Sequence, residues 1–251
     1  MITPSYPLRL LLAVTGYLAL YVLGNNVAWA LRTPRSDRLG QAVAFVKLWG
    51  RKLFLDQVLR LLYYLVGPYL VLYWGWASPL DLGLANLDWI SGTGWTVGIG
   101  LVSSLLLVLL WWQSVRLVGH PPAMQQASWL AQPWGWAFAL REAIVLESWW
   151  ALVRSPMRML AGPYFGVYLG LATVVVAGLL NARTRHELSL PGFREDIVLT
   201  GSIAVVTATL YVFVENLWLC FALHFLLRVL VLQVVQRGMT PEVSGEEQLA
   251  T

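Results

Sequence analysis

Two glutamates, a histidine and an arginine stand out because they fall in stretches otherwise almost free of charge. Glu142 and Glu147 share one apolar segment, and His224 and Arg228 lie one helical turn apart in another. A carboxylate can act as general base toward water, and an imidazole or amide can steady the charge that develops on a carbonyl oxygen. Glu142, Glu147 and His224 are therefore the candidate catalytic set for a hydrolysis. The same residues have a second reading. A charge in hydrocarbon must be paired, so Glu142 or Glu147 joined to Arg141 or Arg228 forms a structural polar network with no chemistry, and Asn181, Glu215 and Asn216 are its further candidates.

Other site chemistry has little support. HExxH, paired CxxC, phosphate-loop and nucleotide fingerprints are absent, so no metal site is expected. His224 as a lone ligand to a metal or a pigment magnesium is weaker than His224 as a packed, hydrogen-bonded histidine. No cofactor is expected beyond contact with pigment or lipid. Cys220 is the single cysteine and lies in an apolar run, which excludes a disulfide framework. Gly162 and Gly170 read as points of close helix contact rather than phosphate binders.

The elements that must carry these residues follow from composition. Of 251 residues, 58% are hydrophobic and 12% charged, and the mean hydropathy is +0.65. Soluble domains carry about a quarter charged residues. The chain is expected to be an all-α polytopic membrane protein, with lipid bilayer and other membrane proteins as partners. This composition and the long uncharged stretches exclude soluble enzymes, nucleic-acid binders and disordered tails as classes for the chain as a whole, and the net charge of +4 comes from Lys and Arg placed mainly in loops, where they set topology.

Charge-free gaps near ~20 residues long set the spans. Span one is 10–31, with Arg32, Arg35 and Arg38 after it. Ala28-Trp29-Ala30 mimics a signal cleavage site, but the apolar run is too long and the arginines that follow resist translocation. Residues 36–52 carry Leu39, Val43, Val46, Trp49 and Leu53 at helical spacing beside Lys47, Arg51 and Lys52, which reads as an interfacial amphipathic helix or a basic loop. Span two, 53–77, pairs Asp56 with Arg60 at i,i+4 and is kinked at Pro68. Spans three to five are about 96–115, 132–153 and 159–181, with Pro121 and Pro122 breaking the chain between the first two. From Ile197 to Gln236 the run is twice a bilayer's thickness, so Glu215-Asn216 is the hairpin point between spans near 197–213 and 217–236.

Seven spans result, with the N-terminus outside and the C-terminus cytoplasmic by the positive-inside rule. Arg9, Arg154 and Arg158 then fall outside. The organisation is 1–52 as an N-terminal span plus basic segment, 53–237 as the transmembrane core, and 238–251 as a disordered tail. Many of the 14 tryptophans lie near span ends as an aromatic belt, including Trp74, Trp76, Trp89, Trp95, Trp111, Trp112, Trp149 and Trp150.

Glu215-Asn-Leu-Trp-Leu-Cys-Phe-Ala-Leu-His224 resembles the last motif region of the CPBP (CAAX protease and bacteriocin-processing, Abi) intramembrane protease family, where an Asn-Leu-Trp turn starts a helix bearing a histidine. Ser78-Pro-Leu-Asp-Leu-Gly-Leu-Ala-Asn-Leu-Asp-Trp89 is similar to the connector before that family's core. The resemblance covers roughly 75–235 and implies a CPBP-like core. The family's catalytic pattern is mostly missing. Its Glu-Glu pair with Arg four residues on meets Arg141-Glu142 or Leu146-Glu147, followed at that distance by Leu146 or Ala151. Its Phe-x3-His meets Ala177 and Asn181, and its His-x3-Asn meets His224 and Arg228.

With those groups replaced, glutamate-dependent hydrolysis is expected to fail. The favoured reading is a pseudoenzyme: a non-catalytic accessory subunit that stabilises or assembles a larger membrane complex, with a photosynthetic reaction-centre or antenna complex as one candidate because aromatic-rich helices pack well on pigments. The rival is a metal-independent intramembrane glutamic endopeptidase. Transport is weaker, since the ionisable residues are expected to concentrate in one patch instead of lining a path across the membrane. A bacterial inner membrane fits the resemblance.

Overall fold

The structure, a computed structural model, describes residues 5–32, 55–118 and 124–239. The basic segment 36–52, Pro121, Pro122 and the end of the tail from 240 onward lie outside the described residues. Among the described residues all regular structure is helical.

The elements are α1 (Tyr6–Arg32), α2 (Leu55–Leu61), α3 (Gly67–Tyr73), α4 (Trp89–Val118), α5 (Gln125–Leu130), α6 (Gly135–Ala161), α7 (Pro163–Leu180), α8 (Ala182–Leu188), α9 (Phe193–Val214) and α10 (Leu217–Met239). Helices α2 and α3 are joined by a π-helical turn, Leu62–Val66. That turn sits just before Pro68, whose missing N–H and bulky ring forbid ordinary helical bonding to the preceding turn. The kink expected at Pro68 is thus taken up as a widened turn one step earlier.

Among the described residues five helices are long and apolar enough to cross a membrane: Tyr6–Ala30, Trp89–Leu117, Pro163–Leu180, Phe193–Val214 and Leu217–Arg237. The apolar helix Val58–Tyr73 is shorter. Helix α6 is 27 residues long and carries Arg141, Glu142, Glu147, Arg154 and Arg158. Glu215 and Asn216 alone separate α9 from α10, as the length argument requires. Glu215 takes the left-handed conformation, φ 45°, that reverses the chain. Asn216 caps α10, its Oδ1 accepting from the backbone N–H of Trp218 and Leu219 at 3.0 and 3.3 Å.

Contacts between elements define two ends of the bundle. At one end the Tyr6 hydroxyl donates to Asp81, the Ser78 N–H and hydroxyl both donate to Asp81 at 2.7 Å, and the Leu217 N–H donates to Gly83 at 2.8 Å. Burial pushes the Asp81 carboxyl up, but hydrogen bonds from Tyr6 and Ser78 outweigh it and hold the group below the usual carboxylate range. At the other end Asn26 accepts from the Ala182 N–H at 2.8 Å, and Gln236 donates to the Ala127 carbonyl at 2.5 Å. Successive long helices therefore run alternately between the two ends.

Helix α6 is the axis of the bundle and packs most closely on α7. The reason is Gly166-x3-Gly170 on α7. A Cβ on Gly170 would lie 2.6 Å from the Cα of Arg154, and one on Gly166 would meet the Cα of Arg158. Only glycine admits so close a crossing. The close contact expected at Gly170 is present. Gly162 instead turns the chain between the two helices at φ +80°, a conformation that favours glycine.

Candidate functional site

Helix geometry sorts the charges of α6. Glu142 and Glu147 are five residues apart, which places them about 140° apart around the axis, whereas Glu147 and Arg154, seven apart, share a face. The two glutamates accordingly serve different clusters. Glu142 accepts from Arg60 at 2.6 Å and from Arg141 at 3.0 Å. Arg60, expected to serve Asp56, reaches across to α6; the Asp56 side chain lies outside the described residues. The Glu142–Arg141 pairing is present, and Arg228 pairs with neither glutamate.

Glu147 and His224 are fully buried, and Arg228 is 1% exposed. The histidine and arginine sit one turn apart on α10, so Arg228 donates to His224 Nε2 from Nε at 3.3 Å and from Nη2 at 3.0 Å. A guanidinium has no acceptor, so Nε2 must supply a lone pair. The ring proton then resides on Nδ1, which donates to Glu147 Oε1 at 3.0 Å. Arg228 also donates from Nη1 to Gln126 and from Nη2 to Thr200 at 3.3 Å. Trp150 stacks on the imidazole, centroids 5.4 Å apart and planes 21° apart. Both ring nitrogens and one face of the His224 ring are thus engaged by the protein.

Beyond Glu147 the polar groups continue. Arg154 Nη2 lies 3.9 Å from Glu147 Oε2, and its guanidinium carbon sits 3.6 Å from the Tyr211 ring centroid. Arg158 donates to the Tyr211 hydroxyl at 3.0 Å and pairs with Glu215 at 2.6 Å. From Arg141 to Arg158 the column covers about 25 Å of helix axis. The ionisable residues therefore form a column along α6 rather than the single patch expected from the sequence.

Two expected members of the network lie elsewhere. Asn181 caps α8, its side chain accepting from the Arg183 N–H at 3.1 Å, and Asn216 caps α10. Arg154, placed outside the membrane by charge counting, is instead 3% exposed and central. Its signal was available: it is two turns from Glu147 on one face. Trp111, Trp149 and Trp150 are buried rather than belt residues, at 7%, 3% and 8% exposure, whereas Trp74, Trp76, Trp89, Trp95 and Trp112 are exposed.

Some buried polar atoms lack a hydrogen-bond partner, notably Glu147 Oε2, Arg154 Nε and Nη2, and Asn216 Nδ2. Among the described residues no group of three or more His, Cys, Asp or Glu could hold a metal ion. No family model matches the chain, and neither a curated protein nor a solved structure matches it.

Proposed function

We propose that this chain is a seven-span integral membrane protein with a CPBP-like core whose polar centre is structural, and that it acts as a non-catalytic accessory subunit of a larger membrane complex. The five long apolar helices, the shorter Val58–Tyr73 and the charged α6 supply the seven crossings. The positive-inside pattern favours an external N-terminus and a cytoplasmic C-terminus in a bacterial inner membrane. One observation carries the functional reading: His224 donates to Glu147 while its remaining lone pair accepts from Arg228, and all three are sealed from solvent. An imidazole held in that way has neither a free donor for an oxyanion nor a free acceptor for a proton. Glu142, bridging two guanidiniums, is equally engaged.

The exposed aromatics, among them Trp74, Trp89, Trp95, Trp134 and Trp136, offer partner or pigment contact area on the outer surface. A photosynthetic complex remains the proposed candidate partner on that ground alone.

A second reading has one observation in its favour. Glu147 Oε2 accepts no hydrogen bond from the protein, which is the state of a carboxylate oxygen that would polarise water in a glutamic endopeptidase. Glu147→Gln separates the readings, because the amide oxygen still accepts from His224 Nδ1 but cannot take up a proton. The subunit reading predicts unchanged recovery of the complex and no loss of any peptide-processing step. Normal assembly with abolished cleavage of a membrane substrate would establish the endopeptidase instead.

A further inference from the structure

At the Tyr6–Asp81 end of the bundle the polar column is covered by a loop instead of a helix. Outward from Glu147 comes Arg154, whose guanidinium carbon lies 3.6 Å from the Tyr211 ring centroid, and then Tyr211, fully buried although it stands about one turn from the end of α9. Against Tyr211 lie residues 78–84, part of the connection between α3 and α4. A Cβ on Gly83 would lie 2.8 Å from the Tyr211 ring and hydroxyl and 2.6 Å from the Glu215 carbonyl oxygen, so the loop backbone rests directly on both. Beside them Arg158 donates to the Tyr211 hydroxyl and pairs with the Glu215 carboxylate.

Contacts of three kinds fasten this loop among the described residues. Leu82, 2% exposed, joins the buried cluster that holds Tyr211, Leu217 and Cys220. The Leu217 N–H, at the start of α10, donates to the Gly83 carbonyl at 2.8 Å. Asp81 accepts from the Tyr6 hydroxyl of α1 and, at 2.7 Å, from the N–H and hydroxyl of Ser78, which closes the base of the loop. A segment held by so few buried groups opens locally at lower cost than the helices beneath it. Gly83 adds a constraint, because its φ of +73° is one that residues with a Cβ rarely adopt.

We propose that residues 78–84 are a strap that closes this end of the polar centre, latched by Tyr6 and Asp81, and that its release lets water reach Tyr211, Cys220 and the Glu147 carboxylate. Two features favour a closure over a passive connection. The groups behind the strap include Glu147 Oε2 and Arg154 Nε and Nη2, which lack hydrogen-bond partners in the closed protein, so entering water offsets part of the cost of opening. The latch also ties the strap to α1, a helix lightly buried against the rest of the bundle, so a shift of α1 lifts the strap while α6, α9 and α10 stay in place. The closure is the same whether the protein is a subunit or a peptidase.

The test uses the single cysteine, Cys220, which is fully buried behind the strap. The full-length protein in mild detergent is treated with a water-soluble anionic methanethiosulfonate, whose charge suits the nearby arginines, and the modification rate is measured beside residue-resolved amide exchange. Asp81→Ala removes the latch. Gly83→Ala forces the loop off Tyr211 with the latch intact and covers the case in which Asp81→Ala fails to fold. Each is expected to speed both Cys220 modification and Leu217 amide exchange at least about tenfold. The Trp218 and Leu219 amides, which donate to Asn216 within their own helix start, should keep their parent rates. Parent-like Cys220 rates in a folded variant, with or without faster Leu217 exchange, overturn the proposal. So does an equal gain in Gln126→Ala, which loosens the opposite end at Arg228.

Discussion

Glu147→Ala probes the polar column at its centre. The substitution removes the acceptor of the His224 Nδ1 proton and the nearest carboxylate to Arg154, 3.0 and 3.9 Å away respectively. A single hydrogen bond between membrane helices contributes only about 0.6 kcal/mol on average. Leaving a buried cation uncompensated costs far more, about 3–5 kcal/mol when one partner of a buried pair is deleted. The charge effect should dominate, so the expected loss is about 3–5 kcal/mol. Arg154→Met alone strands the Glu147 carboxylate and should cost a similar amount. The double variant Glu147→Ala/Arg154→Met buries no unpaired charge at that point, and its cost should fall well below the sum of the two singles, with a coupling of at least about 2 kcal/mol. Reversible unfolding in detergent micelles, followed by the fluorescence of the 14 tryptophans, measures all three. Additivity within about 0.5 kcal/mol would refute the claim that these residues stabilise one another.

Three further outcomes follow from the same geometry. Gly170→Ala, whose Cβ would lie 2.6 Å from the Arg154 Cα, should cost about 1–3 kcal/mol, whereas Gly178→Ala, with open space at its Cβ, should be neutral or mildly stabilising through helix propensity; equal effects in the same unfolding assay would remove the glycine argument for the α6–α7 crossing. Asp81 has a folded-state pKa held below its ordinary value of 3.8, so the stability it contributes is fully present above that value and is lost as pH falls through the depressed one. Unfolding midpoints should therefore drop under strong acid in the parent protein and less in Asp81→Asn, and parallel profiles for the two proteins would contradict this. His224→Phe should retain the stacking on Trp150 yet lose stability by about 1–3 kcal/mol, because Arg228 keeps a buried donor without its acceptor; an unchanged midpoint would show that the arginine is satisfied elsewhere.

The parts legible in the sequence are those governed by length and charge. Uncharged gaps located the apolar helices, and the two-bilayer run from Ile197 to Gln236 forced a hairpin at Glu215-Asn216, where the helices do separate. His224 beside Arg228 followed from one-turn spacing alone. The parts that were not legible depend on pairing across the bundle. Nothing local tells that Arg60 serves Glu142, 82 residues away. Charge counting treats every arginine as a topological marker, and so it assigned Arg154 to water although Glu147 two turns earlier gave it a buried partner. Asn181 and Asn216 read as network members because an amide in an apolar run suggests a buried role; both are buried, but at helix starts, where the amide oxygen meets unpaired backbone N–H groups instead of the charged column. Trp149 and Trp150 fall near the end of span four as drawn from the sequence, but α6 runs on to Ala161 and places both rings in the interior.

The central claim is that the protein works by packing against other membrane proteins with its polar centre closed. Purification from its own membranes in mild detergent, with mass spectrometry of co-purifying chains and an absorption spectrum, tests it most directly. Stoichiometric integral membrane partners, retained in Glu147→Gln, are the predicted result, and pigment bands would name a photosynthetic system. A protein that emerges alone and colourless while cleaving a membrane peptide in a Glu147-dependent manner would contradict it.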